Sequence, residues 1–251
     1  MGHWYTKDGS RVDFVEGAKG QKVVPDLRHA RKLQLAPGVT TIIKCAASEA
    51  LVQYRERQVL MASQDLGRGS HETDEDFCSR VMRESRKHAE EAALAGTALH
   101  AEVEHGLEDP DNTNAWVVAA RRVLLEAFGP QRWRSEWCAV NARGFATRAD
   151  LYAEGDESFV VDIKTKEGPL EDLKTWDEHH MQLAATAAAL GLRGARCAIL
   201  FMRRDEPQAR LIEIGRDQRE RGWRMFRSLL QYWQDKNNYM PAWAILGAEV
   251  P

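Results

Sequence analysis

No run of apolar residues in this chain is long enough to cross a bilayer, so a membrane-spanning protein is not expected. Cysteine is scarce and scattered. Cys45, Cys78, Cys138 and Cys197 form no Cys-x-x-Cys, which argues against a zinc ribbon or an iron–sulfur cluster. Four separated thiols suit a reducing compartment. The opening Met1-Gly2-His3-Trp4-Tyr5-Thr6-Lys7-Asp8-Gly9 holds no apolar signal core, and a cytoplasmic protein is expected. There is no internal repeat and no low-complexity tract, so a solenoid is not expected. Net charge is also small, at −3, which gives no sign of non-specific polyanion coating. Basic residues still gather locally: Arg28, Arg31 and Lys32; Arg80, Arg83, Arg86 and Lys87; Arg203 and Arg204; Arg216, Arg219, Arg221 and Arg224. Runs of this kind are most often solvated helix faces.

What remains is an ordinary globular composition, 251 residues with 43% hydrophobic and 29% charged, enough to bury a core in one domain with an added lobe. Residues 1–36 are polar and glycine-bearing and read as irregular or short hairpin structure. Pro37-Gly38 reads as a turn before an apolar segment at Val39–Ile43. Ser48 is a candidate N-cap for a helix to about Gln64, and Asp74 for a second to about Leu94. Gly96-Thr97 reads as a break, with Thr97 capping a short helix to His105. A further helix is expected from Asn114 to Phe128, ended by Gly129-Pro130.

After Pro130 the texture changes. Arg132–Val140, Phe145–Tyr152 and Phe159–Thr165 read as strands, Leu170–Leu190 as a long helix, Ala195–Met202 and Ala209–Ile214 as two more strands. A last helix follows Asp217, with Trp223, Phe226, Leu230 and Trp233 as its packing face. The expected division is 1–130, an N-terminal segment and helical lobe, and 131–251, an α/β core with the C-terminal helix.

The chemistry concentrates in Phe159-Val160-Val161-Asp162-Ile163-Lys164-Thr165-Lys166. A buried strand runs into a polar site, and its alternation turns Asp162 and Lys164 to one face. The simplest alternative is a surface ion pair of little consequence. Upstream, Gly144 to Tyr152 reads as a partner strand, joined through the turn-forming Gly155-Asp156-Glu157-Ser158. That hairpin brings Asp150 beside Asp162. Two carboxylates so placed repel unless a cation lies between them, and oxygen ligands favour Mg²⁺ or Mn²⁺ over zinc. His100 shares a helix face with Glu104 and is a candidate ligand from the opposite side. Glu136, on the preceding strand, is a candidate for the same cleft. Gln182, on the following helix, can reach a phosphate or a water in the site.

In chain order, Gly96-Thr97-Ala98-Leu99-His100, Glu136, Gly144 to Asp150, Asp162-Ile163-Lys164-Thr165 and Gln182 resemble the PD-(D/E)xK nuclease superfamily in its RecB-like, phage-exonuclease branch. The resemblance spans about Pro37 to Leu190. Pro37-Gly38-Val39-Thr40-Thr41-Ile42 is similar to a segment near the front of phage-type members and of the mitochondrial genome-maintenance exonuclease. The implied fold is a restriction-endonuclease-like α/β core, a central mixed sheet flanked by helices, with an N-terminal helical lobe.

The resemblance implies that Asp150, Asp162, His100 and the Ile163 carbonyl hold Mg²⁺, with Mn²⁺ able to substitute, and adds Glu136 as a further candidate. It implies that Lys164 helps deprotonate the attacking water, and that Thr40, Thr41, Gln182 and Lys166 meet DNA. The implied activity is a metal-dependent DNA exonuclease of phage or prophage recombination or end processing. Its partners would be single- or double-stranded ends, further copies of itself, and a recombination partner such as a single-strand annealing protein. Two rivals stand beside it: a structure- or sequence-specific endonuclease on the same fold, and a non-catalytic DNA-binding module derived from a nuclease. The chain departs from the family pattern where Asp162 stands for the frequent glutamate and Thr186 for a tyrosine.

Overall fold

The structure, a computed structural model, describes residues 2–46 and 49–245. The cap expected at Ser48 lies outside them. Contacts divide the chain into two compact units, 1–45 with 100–251, and 46–99. Residue 130, where the texture changes, lies inside the first unit.

The first unit opens with short paired strands: β1 (Trp4–Tyr5), β2 (Arg11–Val12), β3 (Val15–Glu16) and β4 (Lys22–Val23). A helix not expected from the sequence, α1 (Leu27–Leu33), follows. Its signal was present in Asp26, whose carboxylate accepts the Arg28 and His29 N–H groups while the His29 ring accepts the Asp26 N–H. Next come β5 (Ala36–Pro37) and a one-turn helix, α2 (Val39–Ile43), in place of the expected turn. β1 pairs with both β2 and β5, and Pro37 is tolerated because β5 is an edge strand.

The second unit holds α3 (Glu49–Asp65) and the first part of α4 (Asp74–Glu108). Thr73, rather than Asp74, caps α4: its hydroxyl accepts the Asp76 N–H at 3.1 Å and donates to the Asp76 carboxylate at 2.7 Å. The preceding loop is tied by Arg80, which holds Glu72 at 2.8 Å and the Gly67 carbonyl at 2.9 Å. The expected break at Gly96-Thr97 is absent. One helix runs through to Glu108, because a single helical glycine costs only about 1 kcal/mol and its neighbours are strong helix formers.

In the first unit, α5 (Ala115–Phe128) starts where Asn114 caps it. Then come β6 (Arg134–Asn141), β7 (Phe145–Ala153), β8 (Phe159–Lys166), α6 (Asp177–Ala189), β9 (Arg196–Arg203), β10 (Ala209–Ile214) and α7 (Arg216–Asn237). The strands form one mixed sheet in the order β10-β9-β8-β7-β6, with β8 and β9 parallel and every other pair antiparallel. Parallel neighbours need a crossover, and α6 supplies it. α6 is shorter than expected because the Leu170 and Glu171 carbonyls are taken by the Arg210 guanidinium. α7 is capped by Gln218, which accepts the Gly215 N–H at 2.9 Å, rather than by Asp217.

α6 presents buried Ala184, Ala185, Ala187 and Ala188, so it lies close on the sheet. Val160, Cys197, Ile199 and Phe201 pack against its Leu183 and Ala187. Phe145, Met181, Ala185, Phe226, Leu230 and Trp233 form a second cluster with Trp4 and Ile42. The α7 packing face is therefore the one its periodicity predicts. Where α7 crosses α6, a Cβ added at Gly222 would lie 2.5 Å from the His180 carbonyl carbon and oxygen.

Gly222→Ala is accordingly expected to destabilise the fold by about 1–3 kcal/mol through overpacking. Gly67→Ala, with nothing within 4 Å of the added carbon, serves as the control. Urea midpoints of the two variants check this, and a Gly222→Ala midpoint equal to that of the wild type would count against it.

Candidate metal centre

The site begins where the sheet comes apart. The β7–β8 ladder pairs Ala153 with Phe159, Tyr152 with Val160 and Leu151 with Val161, and stops there. One further step would set Asp150 opposite Asp162. Instead the Asp150 carboxylate reaches across and accepts the Ile163 N–H at 2.8 Å, replacing the lost rung. β8 continues alongside β9 as far as Lys166 and Arg203. The splayed strands leave Asp150, Asp162 and Lys164 around one opening.

β7 also changes face here. Phe145 packs with Met181 and Phe226, and the Thr147 hydroxyl bonds that of Thr186 at 2.9 Å, so odd positions meet α6 and α7. By Tyr152, opposite Val160, an even position shares the α6 side. The β6–β7 ladder pairs Ser135 with Leu151 and Trp137 with Ala149 and passes over Glu136, whose φ of 51° is left-handed. A non-glycine residue there is a local distortion of the kind that re-aims a strand.

From the other direction α4 delivers His100 and Glu104, one turn apart. His100 Nε2 lies 3.2 Å from Asp150 Oδ2 and 3.1 Å from Glu104 Oε1. Among the described residues, His100, Glu104 and Asp150 each offer one ligand atom, all within 4.8 Å of one another. Glu104 was not assigned a role from the sequence, although its i, i+4 spacing from His100 was visible. On β8, Lys164 Nζ lies 2.6 Å from Asp162 Oδ2. Gln182 Nε2 donates to Asp162 Oδ1 at 2.5 Å.

The remaining candidates lie differently. The Glu136 carboxylate is paired with Arg148 at 2.8 Å and does not join the ligand group, because its left-handed backbone takes it out of the regular alternation. Thr41 accepts the His3 N–H at 3.2 Å. Thr40 is exposed on α2. Lys166 donates to the Pro169 carbonyl at 2.9 Å. Thr186 is buried, with its hydroxyl 2.9 Å from that of Thr147.

Charge is arranged unevenly. Burial opposes the His100 imidazolium, yet the hydrogen bonds and charges of Asp150 and Glu104 outweigh it and raise its pKa to about 10. Burial pushes the Asp150 carboxyl up, but His100, Lys164 and the Ile163 N–H together hold it low. Asp162 goes the other way: burial, reinforced by the charge of Asp150, raises it to about 6 despite Lys164. Lys164 is held charged by Asp162 and Asp150 against the cost of burial. Asp162 Oδ2 is buried, with the Lys164 ammonium 2.6 Å away. The convergent His100, Glu104 and Asp150 groups suit a cation. A donor set of carboxylates with one imidazole fits a divalent metal ion.

With metal chelated, these shifts have a measurable sign. Between its ordinary value of 3.8 and about 6, Asp162 keeps its proton in the folded chain and loses it in the unfolded one. Stability therefore falls as pH rises through that window. In EDTA, Asp162→Asn, which removes this titration, is expected to flatten the fall in melting temperature between pH 4 and 6 relative to the wild type. A variant with the same pH dependence as the wild type across that window would contradict the assignment.

No protein-family model matches the chain, and no curated protein does. Solved structures show a distant likeness. A crystal structure of SSO0001 is 15% identical with a TM-score of 0.35, covering 74% of this chain and 87% of that one. A crystal structure of an alkaline exonuclease (LHK-Exo) from Laribacter hongkongensis is 12% identical with a TM-score of 0.31, covering 74% of this chain and 97% of that one.

Proposed function

We propose that this chain is a metal-dependent deoxyribonuclease that hydrolyses phosphodiester bonds from DNA ends. The observation that carries the reading is the meeting of His100, Glu104 and Asp150, with the Asp162–Lys164 pair on the neighbouring strand, where β7 and β8 separate.

His100, Glu104, Asp150 and Asp162 are the residues that would hold a divalent cation. Such an ion supplies Lewis-acid polarisation of the phosphate and a nucleophilic hydroxide near neutral pH. The chain's own groups do the rest. Gln182 fixes Asp162 through Oδ1, and the Lys164 ammonium stands 2.6 Å from Oδ2, so the carboxylate is oriented from both sides. Asp150 is oriented by the Ile163 N–H, so its position is set by the backbone of the neighbouring strand. Lys164, kept charged, places an ammonium where the transferring phosphate gains negative charge. The His100 proton, held between Asp150 and Glu104, occupies the region a cation would take, and a ligating imidazole must give it up. An exonuclease of phage or prophage recombination, with Mg²⁺ as its ion, is the finer form of this reading and rests on the family resemblance.

Purified protein incubated with Mg²⁺ or Mn²⁺ on end-labelled linear DNA, single- and double-stranded, is expected to release short products, with closed circles left intact and EDTA abolishing cleavage. Lys164→Ala should lower the rate by about 10²–10³-fold, the scale of losing one transition-state charge contact. Asp162→Asn should reduce cleavage to background. Mn²⁺ should raise the melting temperature of the wild type and not of His100→Ala. Inactivity with both metals on every end would sink the reading. Cutting of closed circles would replace the exonuclease with an endonuclease.

A further inference from the structure

α7 carries more arginine than its packing uses. Arg216 pairs with Glu220 at 2.7 Å, Arg221 pairs with Asp177, and Arg219 donates to the Ala195 carbonyl. Among the described residues no ion pair engages Arg224 or Arg227, both exposed on the outer face of the helix. These two line a groove of about 610 Å³ together with Ser228, Gln231 and Arg143. Among the described residues no carboxylate lines it.

Arg143 comes from the β6–β7 turn, and that turn is firmly held. The Arg143 N–H donates to Asn141 Oδ1 at 3.0 Å, and its carbonyl accepts from Gln234 Nε2 at 2.9 Å. Asn141 in turn donates to the Ala188 carbonyl at 3.0 Å. Gly144 closes the turn at φ 83°. Arg224 and Arg227, three residues apart on one face of the helix, keep like charges at every accessible pH. An anion with several oxygens offsets that repulsion, since each of these guanidiniums can donate two parallel hydrogen bonds. The Ser228 hydroxyl donates to the Arg224 carbonyl at 3.2 Å, so the uncharged donor left at the groove is the second N–H of the Gln231 amide.

We propose that this groove is a binding site for the phosphate backbone of a nucleic-acid strand, separate from the metal centre. The choice of a strand over a free anion rests on the deoxyribonuclease reading and on Tyr232. This exposed ring lies one helical turn beyond Ser228, with the Lys236 ammonium 5.5 Å from its centroid. An aromatic face beside a basic groove is the usual platform for single strands. Asp235, which accepts the Gln231 amide at 3.0 Å, limits the site at that end.

The test uses the full chain in EDTA, where no cleavage occurs, with a fluorescein-labelled single strand followed by anisotropy. Each phosphate contact on a single strand adds roughly 0.7 to the log–log salt slope. Between about 50 and 200 mM salt, the affinity of the wild type should therefore fall about sevenfold more than that of the Arg224→Gln/Arg227→Gln double variant. The Arg224→Lys/Arg227→Lys variant should keep most of the slope. Both positions are exposed, so folding is retained, and circular dichroism checks it. Equal slopes in wild type and glutamine variant overturn the proposal, as does a wild type that binds no strand. Calorimetry with inorganic phosphate separates the sources. Phosphate binding that the glutamine variant loses while strand affinity stays unchanged assigns the groove to a free anion and overturns the strand. A wild type that binds through the groove and cleaves nothing with Mg²⁺ or Mn²⁺ keeps this proposal and removes the nuclease reading. A wild type that cleaves, with slopes unaltered in the variant, does the reverse.

Discussion

The hydrogen bond from the Ile163 N–H to the Asp150 carboxylate is the interaction on which the site depends. A β-sheet that loses a rung must satisfy the freed N–H or pay for an unpaired buried donor. Here a side chain takes the place of the missing carbonyl. That single substitution lets β7 leave β8 without an orphan and fixes a carboxylate at the point of separation. It also lowers the freedom of Asp150 to turn toward solvent. The charges that follow are arranged around this fixed group: His100 and Glu104 from α4, Asp162 and Lys164 from the next strand.

The rest of the core holds the two strands and α6 in place. α6 is a crossover between parallel strands and must lie flat on the sheet, which its alanines permit. Because α6 is close, Gln182 reaches Asp162 with a short amide side chain. Gly222 lets α7 approach α6 from behind with backbone against backbone. Apolar packing thus sets the distance over which polar groups act.

Much of this was legible in the residues. The alternation of Phe159 to Lys166 placed Asp162 and Lys164 on one face, and the turn residues 155–158 paired the two carboxylate strands. Both follow from the period of two, which a strand cannot escape. Longer-range features were less visible. Glu136 reads as an ordinary strand acid, and nothing in its neighbours announces a left-handed φ. Gly96-Thr97 looks like a break because local propensity is weak there, yet the helix continues. Glu104 carried the right spacing to His100 but no mark to distinguish it from the many acids on α4. Leu170 to Trp176 reads as helix by composition, and tertiary hydrogen bonds to Arg210 overrule it.

The pleat of β8 has a consequence for how such a centre can vary between sequences. Ile163, between Asp162 and Lys164, is almost wholly buried, and β8 is locked to β9 along its length. Adding or deleting one residue inside the strand would exchange core and cleft and send the acid into hydrocarbon. The same change in the loop 154–158, or in the stretch between Lys166 and α6, would leave every ligand where it is. The spacing within Asp162-Ile163-Lys164 is thus a rigid signature, while the intervals to Asp150 and Gln182 are elastic. Chains that share this centre can be recognised by the first and missed by insisting on the second.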